Sequence, residues 1–86
     1  MINIKQLTDK DKGRWVRKLN SDVADLNKDI RLSLGRIKDW DSEYIHVVFY
    51  HPDRNMDKYE SYGAFSIDPE DLVFVDDAWN SIRRIL

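Results

Sequence analysis

One segment constrains the fold of this chain more than any other, and it spans residues 44–50. Successive side chains of a β-strand point to opposite faces of a sheet. Ile45, Val47 and Phe49 would therefore share one face, while the opposite face carries Tyr44, His46, Val48 and Tyr50. Because a strand that is largely apolar or aromatic on both faces needs cover on both, residues 44–50 are predicted to form a central strand.

Four further segments have the composition of strands, namely residues 14–19, 31–37, 62–67 and 72–75. Polar turns separate most of them, and Gly35 is predicted to mark a bulge. Pro69 suits the first position of a short helical turn before the last strand. The pattern predicts a mainly β (α+β) domain that forms a small five-stranded antiparallel barrel. Four aromatic residues are expected to fill its core: Trp15, Phe49, Phe65 and Phe74.

Two segments add helical character to this β pattern. Val23, Leu26 and Ile30 recur at spacings of three and four, which indicates a helical insertion or an ordered long loop near residues 20–30. Residues 77–86 are predicted to form an amphipathic C-terminal helix with Trp79 and Ile82 on its apolar stripe. That helix would dock on its own domain or pair with a second copy, so we expect a monomer or a homodimer of one domain over residues 1–86.

Charge and composition exclude several classes of function. The 86 residues carry a net charge of −2 and contain no cysteine, which excludes disulfides, thiol catalysis and cysteine-ligated zinc. Residues 1–43 carry ten basic and eight acidic side chains, whereas residues 44–86 carry four and eight. Neither a signal peptide nor an apolar run of about 18 residues is evident, so we expect a cytoplasmic protein. We also expect no cofactor.

Four short stretches, taken in order, resemble a known group of proteins: residues 7–16, 35–40, 44–49 and 68–74. The group consists of small, mostly uncharacterised phage and prophage proteins with an SH3-like barrel. The resemblance implies that residues 68–71 form the helical turn before the fifth strand and that residues 20–30 are an insertion in the first long loop. SH3-like barrels bind peptides, proteins or nucleic acids, and some small phage proteins inhibit host defence complexes, as anti-CRISPR proteins do.

The first functional hypothesis is a non-enzymatic module that binds a protein partner, in its most concrete form a host defence nuclease complex. Carboxylates can compete with phosphates for the Lys and Arg side chains of such a partner, and aromatic residues near turns can add contact area. The predicted partner-binding residues are Asp22, Asp25, Asp29, Trp40, Tyr59, Tyr62, Glu70 and Asp71.

The alternative hypothesis is nucleic-acid binding by the basic first half of the chain. Basic side chains on the first two strands could gather into a phosphate-binding patch, although the interleaved aspartates would weaken it. The residues of this alternative are Lys10, Lys12, Arg14, Arg17, Arg36 and Lys38.

Metal binding and catalysis are two further hypotheses, and the sequence supports them less well. Asp39, Asp41 and Glu43 resemble the start of a calcium loop, but the Gly and the twelfth-position Glu of such a loop are not in register. We therefore expect a solvated turn and no metal. His46 is the one histidine placed on a predicted strand, and a packed strand histidine is a simpler interpretation than a catalytic base.

Overall fold

The computed structural model describes residues 1–19 and 30–75, which form a five-stranded antiparallel sheet. The prediction of a mainly β fold with five antiparallel strands is confirmed. The sheet is open, because β4 and β5 lie at opposite edges of the strand order β4-β3-β2-β1-β5. The strands are β1 (Trp15–Lys18), β2 (Leu34–Trp40), β3 (Ile45–Phe49), β4 (Phe65–Ile67) and β5 (Leu72–Phe74).

The predicted helical additions fall mostly outside this description. Residues 20–29 and the C-terminal helix predicted over 77–86 lie outside the described residues. The described helical elements are all short 3-10 helices: Ile4–Gln6, Asp9–Asp11, Ile30–Ser33, Met56–Ser61 and Pro69–Asp71. We call Met56–Ser61, which is two helical turns joined by a kink at Lys58, the outer 3-10 helix, and we call Pro69–Asp71 the turn helix.

The prediction that residues 44–50 form a central strand is confirmed for β3. This strand pairs with β2 on one side and with β4 on the other. Ile45 and Val47 are fully buried in the first hydrophobic core, whereas Val48 is fully buried in the second core on the opposite face. The alternation read from the sequence therefore gives the correct two faces.

The first core is covered by the N-terminal segment of the chain. Ile2 is buried, Ile4 and Leu7 pack against the core, and the Ile2 backbone N–H donates to the Pro69 carbonyl at 3.0 Å. The buried members of this core are Ile2, Val16, Ile37, Ile45, Val47 and Leu72. Burying six such apolar side chains supplies the main driving force for this side of the fold.

The second core lies under the outer 3-10 helix, which belongs to the connection between β3 and β4. Met56 and Tyr59 project from this helix onto Val48, and Trp15, Tyr50 and Tyr62 pack around them. Asn55 caps the helix by accepting a hydrogen bond from the Asp57 backbone N–H at 3.1 Å. The connection from β3 to β4 therefore covers the outer face of the sheet.

Three backbone features shape the sheet, and the position of the bulge differs from the prediction. The bulge lies between Ile37 and Asp39 on β2 and not at Gly35. Gly35 serves a close approach instead, because a Cβ there would lie 2.5 Å from Val47 Cγ1 and 2.7 Å from the Val48 carbonyl oxygen. Gly13 adopts a φ of 86°, a conformation that favours glycine.

Candidate functional site

Two turns that carry exposed carboxylates leave the sheet at the same end. Trp40 pairs with Ile45, and Ile45 pairs with Ile67, so the turn after β2 and the turn after β4 leave the sheet at the same end. We call this region the acidic end, and its exposed carboxylates belong to Asp39, Asp41, Glu43, Asp68 and Glu70. A surface of this kind attracts Lys and Arg side chains of a partner.

The turn between β2 and β3 is held by one carboxylate. Asp41 Oδ1 accepts hydrogen bonds from the backbone N–H groups of Glu43 and Tyr44, both at 2.8 Å. These backbone hydrogen bonds hold the pKa of Asp41 below its usual value, and the nearby His46 lowers the pKa further. Asp41 is therefore ionised at neutral pH while it keeps the turn closed.

His46 lies between two carboxylates of the acidic end. Its Nδ1 contacts Asp39 Oδ1, and its Nε2 lies 3.2 Å from Asp41 Oδ2. A neutral imidazole can donate from one nitrogen, whereas both contacts are favourable together when both nitrogens donate. Both ring nitrogens of His46 therefore face carboxylates of the acidic end.

The turn helix starts at this end of the sheet and leads to β5, whose first residue, Leu72, pairs with Lys18 near the start of β2. Asp68 Oδ1 accepts from the Glu70 backbone N–H at 2.9 Å, and Pro69 occupies the first turn, as its position in the sequence predicts. The Asp71 carbonyl accepts from the Leu19 backbone N–H at 2.6 Å. Of the two predicted partner residues here, Glu70 is exposed, whereas Asp71 is half-buried.

The structure packs all three predicted surface aromatics against the domain. Trp40 is half-buried beside the first core, with Lys12 Nζ 5.9 Å from its ring centroid. Tyr62 is half-buried at the second core, and its hydroxyl accepts from the Asn55 backbone N–H at 3.0 Å. Tyr59 is 9% exposed, so its expected surface position is corrected: its side chain belongs to the second core because the outer 3-10 helix folds onto the sheet.

The surroundings of Tyr59 also make its hydroxyl a weaker acid. Burial raises the pKa of its hydroxyl, and the hydrogen bond to Glu60 at 3.2 Å raises the pKa further. The other predicted partner residues, Asp22, Asp25 and Asp29, lie outside the described residues.

Two members of the predicted basic patch are hydrogen-bonded to the backbone within the fold. Arg36 donates from Nε to the Gly13 carbonyl at 2.7 Å and from Nη1 to the Met56 carbonyl at 3.1 Å. Its guanidinium also lies 4.3 Å from the ring centroid of Tyr59. Lys38 donates from Nζ to the Tyr62 carbonyl at 3.0 Å. Both side chains therefore stabilise the cover of the second core.

The remaining basic candidates do not join them in one patch. Lys12 pairs with Asp9 at 3.5 Å, and Arg14 pairs with Asp11 at 3.0 Å. Arg14 also lies 3.6 Å from the ring centroid of Phe74, which packs against the first core. Lys10 and Arg17 are exposed. The predicted basic set is thus divided between the two faces of the sheet.

The sequence interpretation missed an exposed aromatic residue at a sheet edge. Phe65, predicted to fill the core, is 59% exposed on β4, and its ring centroid lies 6.1 Å from that of Phe49. Tyr44 is also exposed, at 42%.

Comparison with known proteins finds no significant match among family models, curated proteins or solved structures. Within residues 1–19 and 30–75, no helix has the length and apolar character needed to cross a membrane. The same residues contain no cluster of three or more histidine and carboxylate side chains arranged to hold a metal ion.

Proposed function

We propose that this chain is a non-enzymatic protein-binding module of the phage type that inhibits a host defence complex in the host cytoplasm. The partner in this proposal is a nuclease complex of the CRISPR type, whose nucleic-acid channel is lined by Lys and Arg. The module binds that channel with carboxylates that take the place of phosphates.

The acidic end is the observation that carries this proposal. Its two turns are held by internal hydrogen bonds through Asp41 Oδ1 and Asp68 Oδ1. Glu43 and Glu70 extend from these turns as exposed carboxylates. A charged surface on an ordered turn loses little conformational freedom on binding, which favours affinity for a basic partner.

The order of the strands supports the finer proposal of an SH3-like fold. A meander from β1 to β4, with β5 returning to pair with β1, fits the five-stranded plan of such barrels. The turn helix lies between β4 and β5, where the resemblance places a short helical turn.

The experiment measures binding to purified CRISPR-type nuclease complexes and protection of a phage or plasmid target in cells. We expect the chain to compete with the nucleic acid of at least one complex. The variant Glu43→Gln with Glu70→Gln should weaken this competition, whereas the matched variant Asp57→Asn, on the outer 3-10 helix, should not. Absence of binding and of protection with every complex tested would refute the proposed function.

Nucleic-acid binding is the alternative, and the division of the basic residues between two faces gives it less support. It predicts a shift of labelled DNA or RNA in an electrophoretic assay that weakens steeply with salt. Charge reversal of Lys10 or Arg17, the exposed members of the set, would then weaken the shift.

A further inference from the structure

The outer edge of β4 is open among the described residues. Strand β4 is at the end of the sheet order and pairs with β3 alone, in the register Val47 with Phe65 and Ile45 with Ile67. No backbone hydrogen bond within residues 1–19 and 30–75 reaches the other side of β4. An unpaired strand edge presents backbone N–H and C=O groups to which an extended chain can add.

This edge belongs to a strand of only three residues, and it lacks the charged or proline side chains that commonly guard a sheet edge. Residues 63–66 are all exposed, and residues 61–67 contain neither a charged side chain nor a proline. A Cβ built on Gly63 would meet no atom within 4 Å, so the approach to the edge is open there. Native sheets commonly guard such edges with lysine, proline or a bulge. A neutral, exposed edge is therefore a suitable surface for a partner strand.

Phe65 gives this edge an apolar contact point. Its side chain is 59% exposed, and its ring meets that of Phe49 at an interplanar angle of 51°. A partner strand that pairs with β4 would place alternate side chains on the face of Phe65. An apolar or aromatic side chain at that position would cover the exposed ring.

The charges beside the edge indicate the chemistry of the partner. Asp68 and Glu70 follow Ile67 directly, and the turn that carries Asp41 and Glu43 leaves the sheet at the same end. An extended segment that runs along β4 and past Ile67 would pass Asp68 first, and the carboxylates of the turn between β2 and β3 would attract it from further along the sheet. Basic side chains at that end of the segment would satisfy them, whereas an acidic segment would be repelled.

We propose that the outer edge of β4 binds an extended, basic segment of a partner protein by strand addition. This inference rests on the proposed function and names its contact site and the chemistry of its partner. Backbone hydrogen bonds supply pairing, Phe65 receives one apolar side chain, and the acidic end selects for Lys and Arg. A second copy of the chain is the competing occupant, but it would bring its own net negative charge to the acidic end.

The first test uses a labelled peptide in which valine and lysine alternate and a control in which glutamate replaces lysine. Binding is followed by fluorescence polarisation and by amide shifts of the folded chain. We expect the lysine peptide to bind, to shift the amides of residues 63–67 most strongly, and to bind less tightly at about 300 mM than at about 50 mM salt. The glutamate peptide should not bind.

The second test changes the edge itself. Phe65→Lys should weaken binding of the lysine peptide by about tenfold or more, because the substitution removes the aromatic ring and the new positive charge repels the peptide. Phe65→Ala should weaken binding by about fivefold. Leu32→Ala is the matched control, because Leu32 is 39% exposed and lies in the 3-10 helix before β2, away from this edge, and it should leave binding unchanged. The high exposure of Phe65 lets both variants fold, which thermal unfolding verifies.

Three results would overturn the strand-addition proposal: equal binding of both peptides, amide shifts centred away from β4, or unchanged binding by Phe65→Lys. Self-association through β4 without peptide, seen as a concentration-dependent sedimentation coefficient, would identify a second copy as the occupant and would also overturn it. These outcomes are separate from the proposed function. A chain that blocks a defence complex equally well with Phe65→Lys would retain the proposed function and refute this site.

Discussion

Asp39 faces His46 across β2 and β3 because the register of β2 shifts between Ile37 and Asp39. In an unbroken register Lys38 would lie opposite His46, and the Asp39 carboxylate would point to the other face of the sheet. Because of the bulge, the residue opposite His46 is the anionic Asp39 and not the cationic Lys38. The bulge also leaves Lys38 free to reach the Tyr62 carbonyl on the far side of the second core.

Loss of the Asp39 carboxylate should loosen the turn after β2. In Asp39→Ala we expect the free energy of unfolding to fall by about 0.5–1 kcal/mol, the size of a partly exposed hydrogen bond to a carboxylate. Chemical denaturation measures this change. The ring signals of His46 should move in the NMR spectrum, while those of His51 should not. Glu43→Ala, which alters an exposed carboxylate of the same turn, is the control, and an equal loss in both variants would contradict the prediction.

Acid should destabilise the chain partly through Asp41. The pKa of this carboxyl is lowered from 3.8 in the folded protein by backbone hydrogen bonds from Glu43 and Tyr44. Its stabilising contribution is therefore complete above its unfolded pKa and is lost as the pH falls through the lower folded value. Thermal unfolding at decreasing pH below about 4 should show a smaller loss for Asp41→Asn than for the wild type.

The exposed Asp57→Asn variant is the control for this acid titration, and its pH dependence should match that of the wild type. Asparagine at position 41 keeps an oxygen that can accept the two backbone hydrogen bonds, so the variant should fold. An acid response of Asp41→Asn that equals the wild-type response would show that this carboxylate does not contribute.

Even the conservative replacement of Arg36 by lysine should lower the stability of the fold. Lysine at position 36 would lose the planar guanidinium that donates to Gly13 and Met56 and stacks on Tyr59. We expect Arg36→Lys to lower the free energy of unfolding by about 2 kcal/mol, since hydrogen bonds from a charged group are involved. Arg17→Lys, at an exposed position on β1, should change it by less than about 0.5 kcal/mol. Equal effects in a denaturant titration would contradict this prediction.

Two glycines should respond to alanine in opposite directions. In Gly35→Ala the new methyl group would meet Val47 and the Val48 carbonyl at distances that force movement, so we expect a loss of about 1–3 kcal/mol. In Gly63→Ala the methyl group meets nothing within 4 Å, and the stiffer unfolded chain should raise the melting temperature slightly. A similar change in melting temperature for both variants would show that the close approach at Gly35 is not tight.

Local patterns were sufficient for much of the fold. The alternation of residues 44–50 predicts a central strand with the correct faces, because a strand carries its period of two in its own side chains. Pro69 and Asp68 likewise predict the turn helix, whose cap and first turn involve neighbouring residues. The acidic character of residues 68–71 is also evident before any tertiary contact is known.

Tertiary structure decided which side chains are covered. Tyr59 is buried and Phe65 is exposed, the reverse of their predicted positions, because the outer 3-10 helix folds back over Val48 while β4 remains at the sheet edge. The acidic end depends on pairing between Ile45 and Ile67, which are 22 positions apart in the sequence. Burial and pairing of this kind depend on contacts between distant segments, whereas strand periodicity and helix capping are properties of neighbouring residues.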